Sequence, residues 1–219
     1  MIVVGVDGFQ KGWVAVALEN GSVCAVEVHR TFGDVLAGFA DAAAFAVDIP
    51  IGLPSPDTYP RPADVAAREF VGARRASVFA TPLRRALLVA TFAEACDVNF
   101  AATAKKVSQQ AFALRTKILE LEALAPTDDR IHEAHPEVSF RELAGGELPF
   151  PKQSWNGFHL RQELLDQAAI VLPARVDGRA PVLDVLDASA AAWSASRIAA
   201  GTGRPLPPGQ AGRIGAIWR

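Results

Sequence analysis

The sequence predicts an α/β domain built on a β-sheet. Two observations carry that reading. Short β-branched runs end on aspartates, and long stretches of helical periodicity lie between and after them. A third observation fixes the start of the sheet: the first three strand-like runs follow one another across tight turns, as an antiparallel meander does.

Ile2-Val3-Val4-Gly5-Val6 is β-branched and reads as a buried strand ending at Asp7. Gly8 and Gly12 bracket a turn, and Trp13 to Leu18 forms a second strand. Asn20-Gly21 is a strong hairpin signal, because both residues tolerate positive φ. Val23 to Val28 then forms the third strand. Thr31 is suited to cap a short helix running to about Ala40. Ala44 to Val47 is a fourth strand, again ending on an aspartate, Asp48, and a stiff loop with Pro50, Pro54, Pro56 and Pro60 follows.

From about residue 60 to 125 the pattern is mostly helical, with Pro62 in a first turn and Phe112, Leu114, Ile118, Leu119, Leu121 and Leu124 at helical spacing. This stretch interrupts the strand–helix alternation and reads as a helical insertion into a single domain covering 1–219. Ile131 to Ala134 is a short fifth strand before Pro136. A loop rich in Gly and Pro spans Gly145 to Gly157, and helices follow over Phe158–Val171 and Asp184–Ala200. Pro205 to Gly209 reads as irregular, and Ile214 to Trp218 as a last edge strand.

The composition narrows the function classes. With 219 residues, half of them hydrophobic, the chain can bury a sizeable core, and nothing in it resembles a disordered tail. The net charge of −2 argues against nucleic-acid binding by bulk electrostatics, although it leaves room for a local basic rim. Cys24 and Cys96 show no metal-type spacing, so a reducing, cytoplasmic setting is expected, with Cys24 in the core. No apolar run reaches the length of a membrane span, and the N-terminus opens directly into a strand, so no membrane partner and no signal peptide are expected. The oligomeric state stays open, a homodimer included.

The chemistry lies in the acids. Asp7 and Asp48 each end a strand, and Asp184 and Asp187 share one face of a helix at i and i+3. Glu133 and Glu137 flank His135-Pro136. Ligands of α/β sheets sit beyond strand ends, so the two strand aspartates converge there if their strands are neighbours. Converging carboxylates raise one another's pKa unless a cation neutralises them, and a hard divalent ion, Mg²⁺ or Mn²⁺, suits an all-oxygen ligand set. The plainer reading of each acid alone is a turn or helix-start residue. Their combined order is what favours a site.

Arg68, Arg74, Arg75, Arg84 and Arg85 cluster near Ser77 and Thr81, and their forked donors suit phosphate. A solvated or ion-paired helix face is the competing reading, and it is slightly favoured. Lys152 and Arg161 flank the Gly157 loop as further pocket candidates. His132 and His135 are read as packing or surface residues before proton shuttles. Trp13, Trp155 and Trp193 are read as core aromatics before base-stacking ones.

Five segments taken in order resemble a known family. They are Val4-Gly5-Val6-Asp7-Gly8 with Gly12-Trp13, Val47-Asp48-Ile49-Pro50-Ile51-Gly52-Leu53, Arg68 with Arg74-Arg75-Ala76-Ser77-Val78-Phe79, Glu133-Ala134-His135-Pro136-Glu137, and Asp184-Val185-Leu186-Asp187-Ala188. The chain resembles, over roughly residues 1 to 200, the family catalogued as domain of unknown function 429, regarded as nucleases of the RNase H-like superfamily. The resemblance implies an RNase H-like fold, a five-stranded mixed sheet with flanking helices, and a metal-dependent phosphodiesterase site acting on nucleic acid. It implies Asp7, Asp48 and Asp187 as core metal ligands, with Asp184, Glu133 and Glu137 as further acids. In that mechanism Glu133 or Asp184 would orient water, and Arg68, Arg74, Arg75, Ser77 and Lys152 would hold substrate. The second acid is Asp48, where resolvase-like relatives often carry glutamate.

Two rival readings stand beside it. One is an ATP-binding phosphotransferase of the actin-like or sugar-kinase type, which shares the opening strand, aspartate and meander. That type normally needs two duplicated domains and a Gly-rich phosphate loop, and this chain has neither the length nor the loop. The other is a non-catalytic binding protein with a degenerate site.

Overall fold

The computed structural model describes residues 1–176, 180–210 and 212–219. In chain order the elements are β1 (Ile2–Phe9), β2 (Gly12–Glu19), β3 (Ser22–His29), α1 (Phe32–Gly38) and β4 (Ala44–Val47). A helical stretch follows: α2 (Pro62–Val71), α3 (Arg84–Leu87), α4 (Phe92–Thr103), α5 (Gln109–Ala113) and α6 (Arg115–Leu124). The chain then runs through β5 (Ile131–Ala134), α7 (Pro136–Ala144), α8 (Trp155–Gln167), α9 (Val182–Ala199), β6 (Pro205–Leu206) and β7 (Ile217–Trp218). The α/β class and the mixed sheet are as expected. No helix among the described residues is long and apolar enough to cross a membrane.

The sheet has seven strands among the described residues, in the order β3-β2-β1-β4-β5-β7-β6, rather than the expected five. Both extra strands come from the C-terminal tail. Ile217–Trp218 pairs parallel to β5, and Pro205–Leu206 pairs antiparallel outside it, so the terminal strand is internal and not an edge. The edge falls instead to a segment containing Pro205. An edge is where proline's missing N–H costs no ladder bond. The amides of Arg204 and Arg219 each donate to the other's carbonyl, at 2.8 and 3.0 Å, and close this ribbon. At the opposite edge, Cys24 lies exposed on β3 and not in the core.

The sheet separates two hydrophobic layers, as alternation along each strand requires. On one face, Val4, Val6, Trp13, Ala15, Phe45 and Val47 pack with α1 and α6 through Phe32, Val35, Ile118 and Leu121. On the other, Val3, Val14, Val16, Ala44, Ala46 and Ala134 pack with Leu186, Ala188, Ala191, Ala192 and Ala195 of α9. The small residues of α9 allow very close approach. A β-carbon added at Gly5 of β1 would stand 2.0 Å from both the Ala188 carbonyl oxygen and the Ala192 amide nitrogen. Only a residue without a side chain fits there.

Helix starts follow local caps. Thr31 and Thr91 each accept from the amide three residues on, while Asp34 and Glu94 accept from the cap's own amide. Ser154 accepts from the Gly157 amide, so α8 begins at Trp155, three residues earlier than periodicity indicates. Helix α7 carries Pro136 at its start and Gly145 at φ +64° after its end, a signature that the sequence reading had left unassigned.

Candidate metal centre

The centre is built by strand register. Strands β1 and β4 are parallel neighbours, with Val6 opposite Val47. The next residues along each strand are therefore Asp7 and Asp48, and the Asp48 amide donates to the Val6 carbonyl at 2.9 Å. Asp7 itself lies inside β1, which continues to Phe9. Val3, Gly5 and Asp7 form one row of β1, the row that faces α9. Because α9 closes onto Gly5, its first turns bring Asp184 and Asp187 over the same spot.

Carboxylate oxygens of Asp7, Asp48 and Asp187 all lie within 4.8 Å of one another. Asp7 and Asp187 are buried and Asp48 is half-buried. Asp187 Oδ2 accepts from the Lys152 ammonium, while its Oδ1, shielded from solvent, has no hydrogen-bond partner among the described residues. A buried carboxylate oxygen without a donor is costly, and it lies among two further acids. These three residues fit a hard divalent cation, which would supply the missing positive charge at oxygens already gathered for it.

The titration of the acids reflects the same crowding. Burial, with the charges of Asp48, Asp187 and Asp184, holds Asp7 well above the usual carboxylate range. Burial lifts Asp48 to about 7 against the pull of Lys152, with Asp184 and Glu137 adding to the rise. Burial also lifts Asp187 to about 6, again opposed by Lys152. Asp184 is raised by burial as well. For Lys152 itself burial favours the neutral amine, but Asp187, Asp48 and Asp7 outweigh it, so its pKa rises and the ammonium persists.

The two glutamates expected beside them are committed elsewhere. Both oxygens of Glu133 accept from Arg61, at 2.7 and 2.9 Å, and Oδ1 of Asp64 accepts from the same guanidinium at 2.5 and 3.0 Å. Glu133 also accepts from the Ile51 amide at 2.7 Å, which ties the loop after Asp48 to β5. Arg161 Nη2 donates to both oxygens of Glu137, 2.8 Å at each. Both pairs are deeply buried. Arginine thus neutralises each glutamate, whereas among the described residues the three aspartates receive a hydrogen-bonded cation only at Asp187, from Lys152. Orienting water through Glu133 would require breaking its pair with Arg61, whereas Asp184 stays half-exposed at the rim.

The Arg161 guanidinium does more than pair. It also donates to the carbonyls of Phe150, at 3.1 Å, and Gly157, at 2.8 Å. The 150–153 loop is pressed against the start of α8 so closely that a β-carbon on Gly157 would stand 1.9 Å from the Pro151 carbonyl oxygen. These contacts fix the loop that carries Lys152 into the acidic cluster.

The aspartates lie in a cleft of about 490 Å³ whose walls include Pro50, Ser77, Phe79, His135, Lys152 and Gln153. Of the expected substrate-holding residues, Ser77 and Lys152 line this cleft. Arg68 donates to the Val78 carbonyl at 2.5 Å, and Arg74 to the carbonyls of Leu148 and Pro149. Arg75 is exposed, and none of these three arginines lines the cleft. Arg84 is paired with Glu122 at 2.9 Å, in keeping with the ion-paired reading of that run. His132 packs against Trp218, whereas His135 faces the cleft with its Nδ1 unpartnered among the described residues. Trp13 is fully buried, but Trp155, expected in the core, is 77% exposed. Arg61 was missed as a site-building residue, since its partner Glu133 lies 72 positions away in sequence.

The family model for protein of unknown function DUF429 matches residues 5–211, nearly the whole chain. The chain belongs to the DUF429 family. No curated protein and no solved structure matches it. The DUF429 match covers every acid of the cluster, so the candidate metal centre lies within the family domain.

Proposed function

We propose that this DUF429 protein is a metal-dependent hydrolase of nucleic-acid phosphodiesters with an RNase H-like fold. One observation carries the reading: three carboxylates, from β1, the residue after β4, and α9, lie within 4.8 Å of one another in a cleft, and one buried oxygen has no donor among the described residues. The mixed sheet supports the fold assignment, with its opening meander, its aspartates on adjacent parallel strands and its late Asp-x-x-Asp helix. Asp7, Asp48 and Asp187 would hold Mg²⁺ or Mn²⁺, which when bound supplies a lowered-pKa water and charge for the leaving oxygen. Asp184, half-exposed at the rim, would accept a proton from that water. Lys152 on the cleft wall supplies a donor for a phosphate oxygen, while the Ser77 hydroxyl is committed to the Arg74 carbonyl at 2.8 Å.

The test is cleavage of single-stranded, duplex and branched oligonucleotides with Mg²⁺ or Mn²⁺. Activity abolished by Asp7→Asn is expected. Absence of cleavage on every substrate class with both ions would sink the proposal. The Lys152–Asp187 contact favours a second reading, in which lysine neutralises the cluster permanently and the protein only binds. Calorimetry with Mn²⁺ separates the two, since the second reading predicts no heat that depends on Asp7.

A further inference from the structure

The loop that carries Lys152 into the acidic cleft also builds a second surface. Phe150 precedes Lys152 by two residues and Trp155 follows it by three, so both rings lie within about 10 Å of chain from the lysine. Trp155 is 77% exposed and Phe150 is 40% exposed. A tryptophan that open to water is uncommon, and here nothing among the described residues covers its outer face. Its inner edge is held: the His159 ring stands edge-on to it with centroids 4.1 Å apart, one helical turn along α8. The ring is therefore positioned and presented.

Phe150, Trp155, Asn156, His159, Leu160 and Glu163 line a shallow groove of about 480 Å³. Its polar groups are an amide, an imidazole and a carboxylate. None of these lining residues is Lys or Arg, so the groove is unsuited to a phosphate. It suits a nucleobase, whose face stacks on indole and whose exocyclic amino group can donate to a carboxylate such as that of Glu163. The division of labour is complementary, with phosphate chemistry in the acidic cleft and base contact on the aromatic groove beside it.

We propose that the Trp155 groove is a base-stacking subsite that receives an unpaired, amino-bearing nucleobase of a strand whose phosphate enters the Asp7–Asp48–Asp187 cleft. This rests on the nuclease reading and deepens it, because a base available for stacking requires single-stranded or locally opened nucleic acid.

The experiment uses Asp7→Asn protein, so that nothing is cut, and follows tryptophan emission on titration with oligocytidylate of about eight nucleotides. DNA and RNA versions run as separate arms, with an abasic strand of the same length as the phosphate-only control. Expected are quenching by both cytidylates, little by the abasic strand, and affinity about tenfold weaker with loss of quenching in Asp7→Asn/Trp155→Leu. Equal binding with and without Trp155, no binding at all, or quenching equal for the abasic strand would overturn the subsite. So would emission that ignores oligonucleotide and changes with protein concentration, which marks a contact between copies of the chain. Failure of the nuclease reading looks different. There, Trp155-dependent binding persists while the unaltered protein cuts nothing. The converse, cutting left unchanged by Trp155→Leu, removes the subsite alone.

Discussion

The backbone amide of Ala192 in α9 lies 2.0 Å from where a β-carbon on Gly5 of β1 would stand. That contact sets the depth of the metal centre. Gly5 is two residues before Asp7 on the same face of β1, and Ala188 and Ala192 follow Asp187 along α9. Whatever separates helix from strand at Gly5 also separates Asp187 from Asp7. Gly5→Ala is therefore expected to cost about 1–3 kcal/mol or more by overpacking. Mn²⁺ affinity should fall by at least about tenfold, since 1 Å of misplacement matters at a ligand set. Denaturant unfolding and calorimetry measure the two effects. Unchanged Mn²⁺ affinity in a folded Gly5→Ala protein would show that α9 does not set the geometry of the site.

The raised carboxylates make a pH prediction for the metal-free protein. Their ordinary value is 3.8, and in the fold Asp48 moves to about 7 and Asp187 to about 6. The native state thus holds protons that the unfolded chain has released. Below about pH 4 both states are protonated and these groups cost nothing. As pH rises from about 4 to about 7 the folded state loses stability, on the order of a few kcal/mol, and above that the loss is complete. Divalent cation reverses the slope, because it binds the deprotonated site. Melting curves with and without Mg²⁺ should show a gain in Tm that is large at pH 8 and small at pH 5. A metal-free Tm that climbs steadily through this window would contradict the assignment.

Lys152 is the cation that donates to Asp187 at the aspartate cluster, and there it would compete with a bound metal. Removing it with Lys152→Met should leave three carboxylates with less relief, lowering metal-free stability at neutral pH. The same change should tighten Mn²⁺ binding by about tenfold or more, because a like charge beside the site is gone. If the proposed nuclease reading holds, phosphodiester cleavage should nevertheless drop, since Lys152 lines the cleft where a phosphate would enter. Weaker Mn²⁺ binding in Lys152→Met would mean that the lysine organises the ligands instead of competing with the ion.

The aspartates were legible in the sequence because their placement is local. A β-branched run fixes a strand, the strand end fixes Asp7 or Asp48, and i to i+3 spacing fixes Asp184 with Asp187. Only their adjacency needed the sheet order. The glutamates were less legible for a matching reason. Glu133 and Glu137 carry the same acidic signal as Asp48, but Arg61 and Arg161 arrive from positions 72 and 24 residues away to neutralise them. No spacing rule announces such partners. Arg68 and Arg74 were misplaced as phosphate donors because sequence shows a charge but not the carbonyls that absorb it. Strand β6 escaped for want of length, being two residues in a stretch that reads as irregular, and β7, legible as a strand, was expected at the edge because nothing local announces the partner that pairs outside it.

The Arg61 cluster makes the last prediction. Arg61, Glu133 and Asp64 are all nearly inaccessible to water, and Asp64 also accepts from the Thr81 amide at 2.7 Å. Their mutual attraction offsets a large desolvation cost, so the set matters most when it is broken. Arg61→Ala would leave two buried carboxylates against each other and should destabilise the protein by about 3–5 kcal/mol. The Ile51 amide would keep its Glu133 acceptor, so the loop after Asp48 should stay near its place. Adding Glu133→Gln to Arg61→Ala removes one of the stranded charges while preserving that acceptor, and should recover part of the loss. Urea unfolding of the single and double variants gives the coupling energy directly. A loss below about 1 kcal/mol in Arg61→Ala would mean that water reaches the cluster, and with it the wall of the acidic cleft.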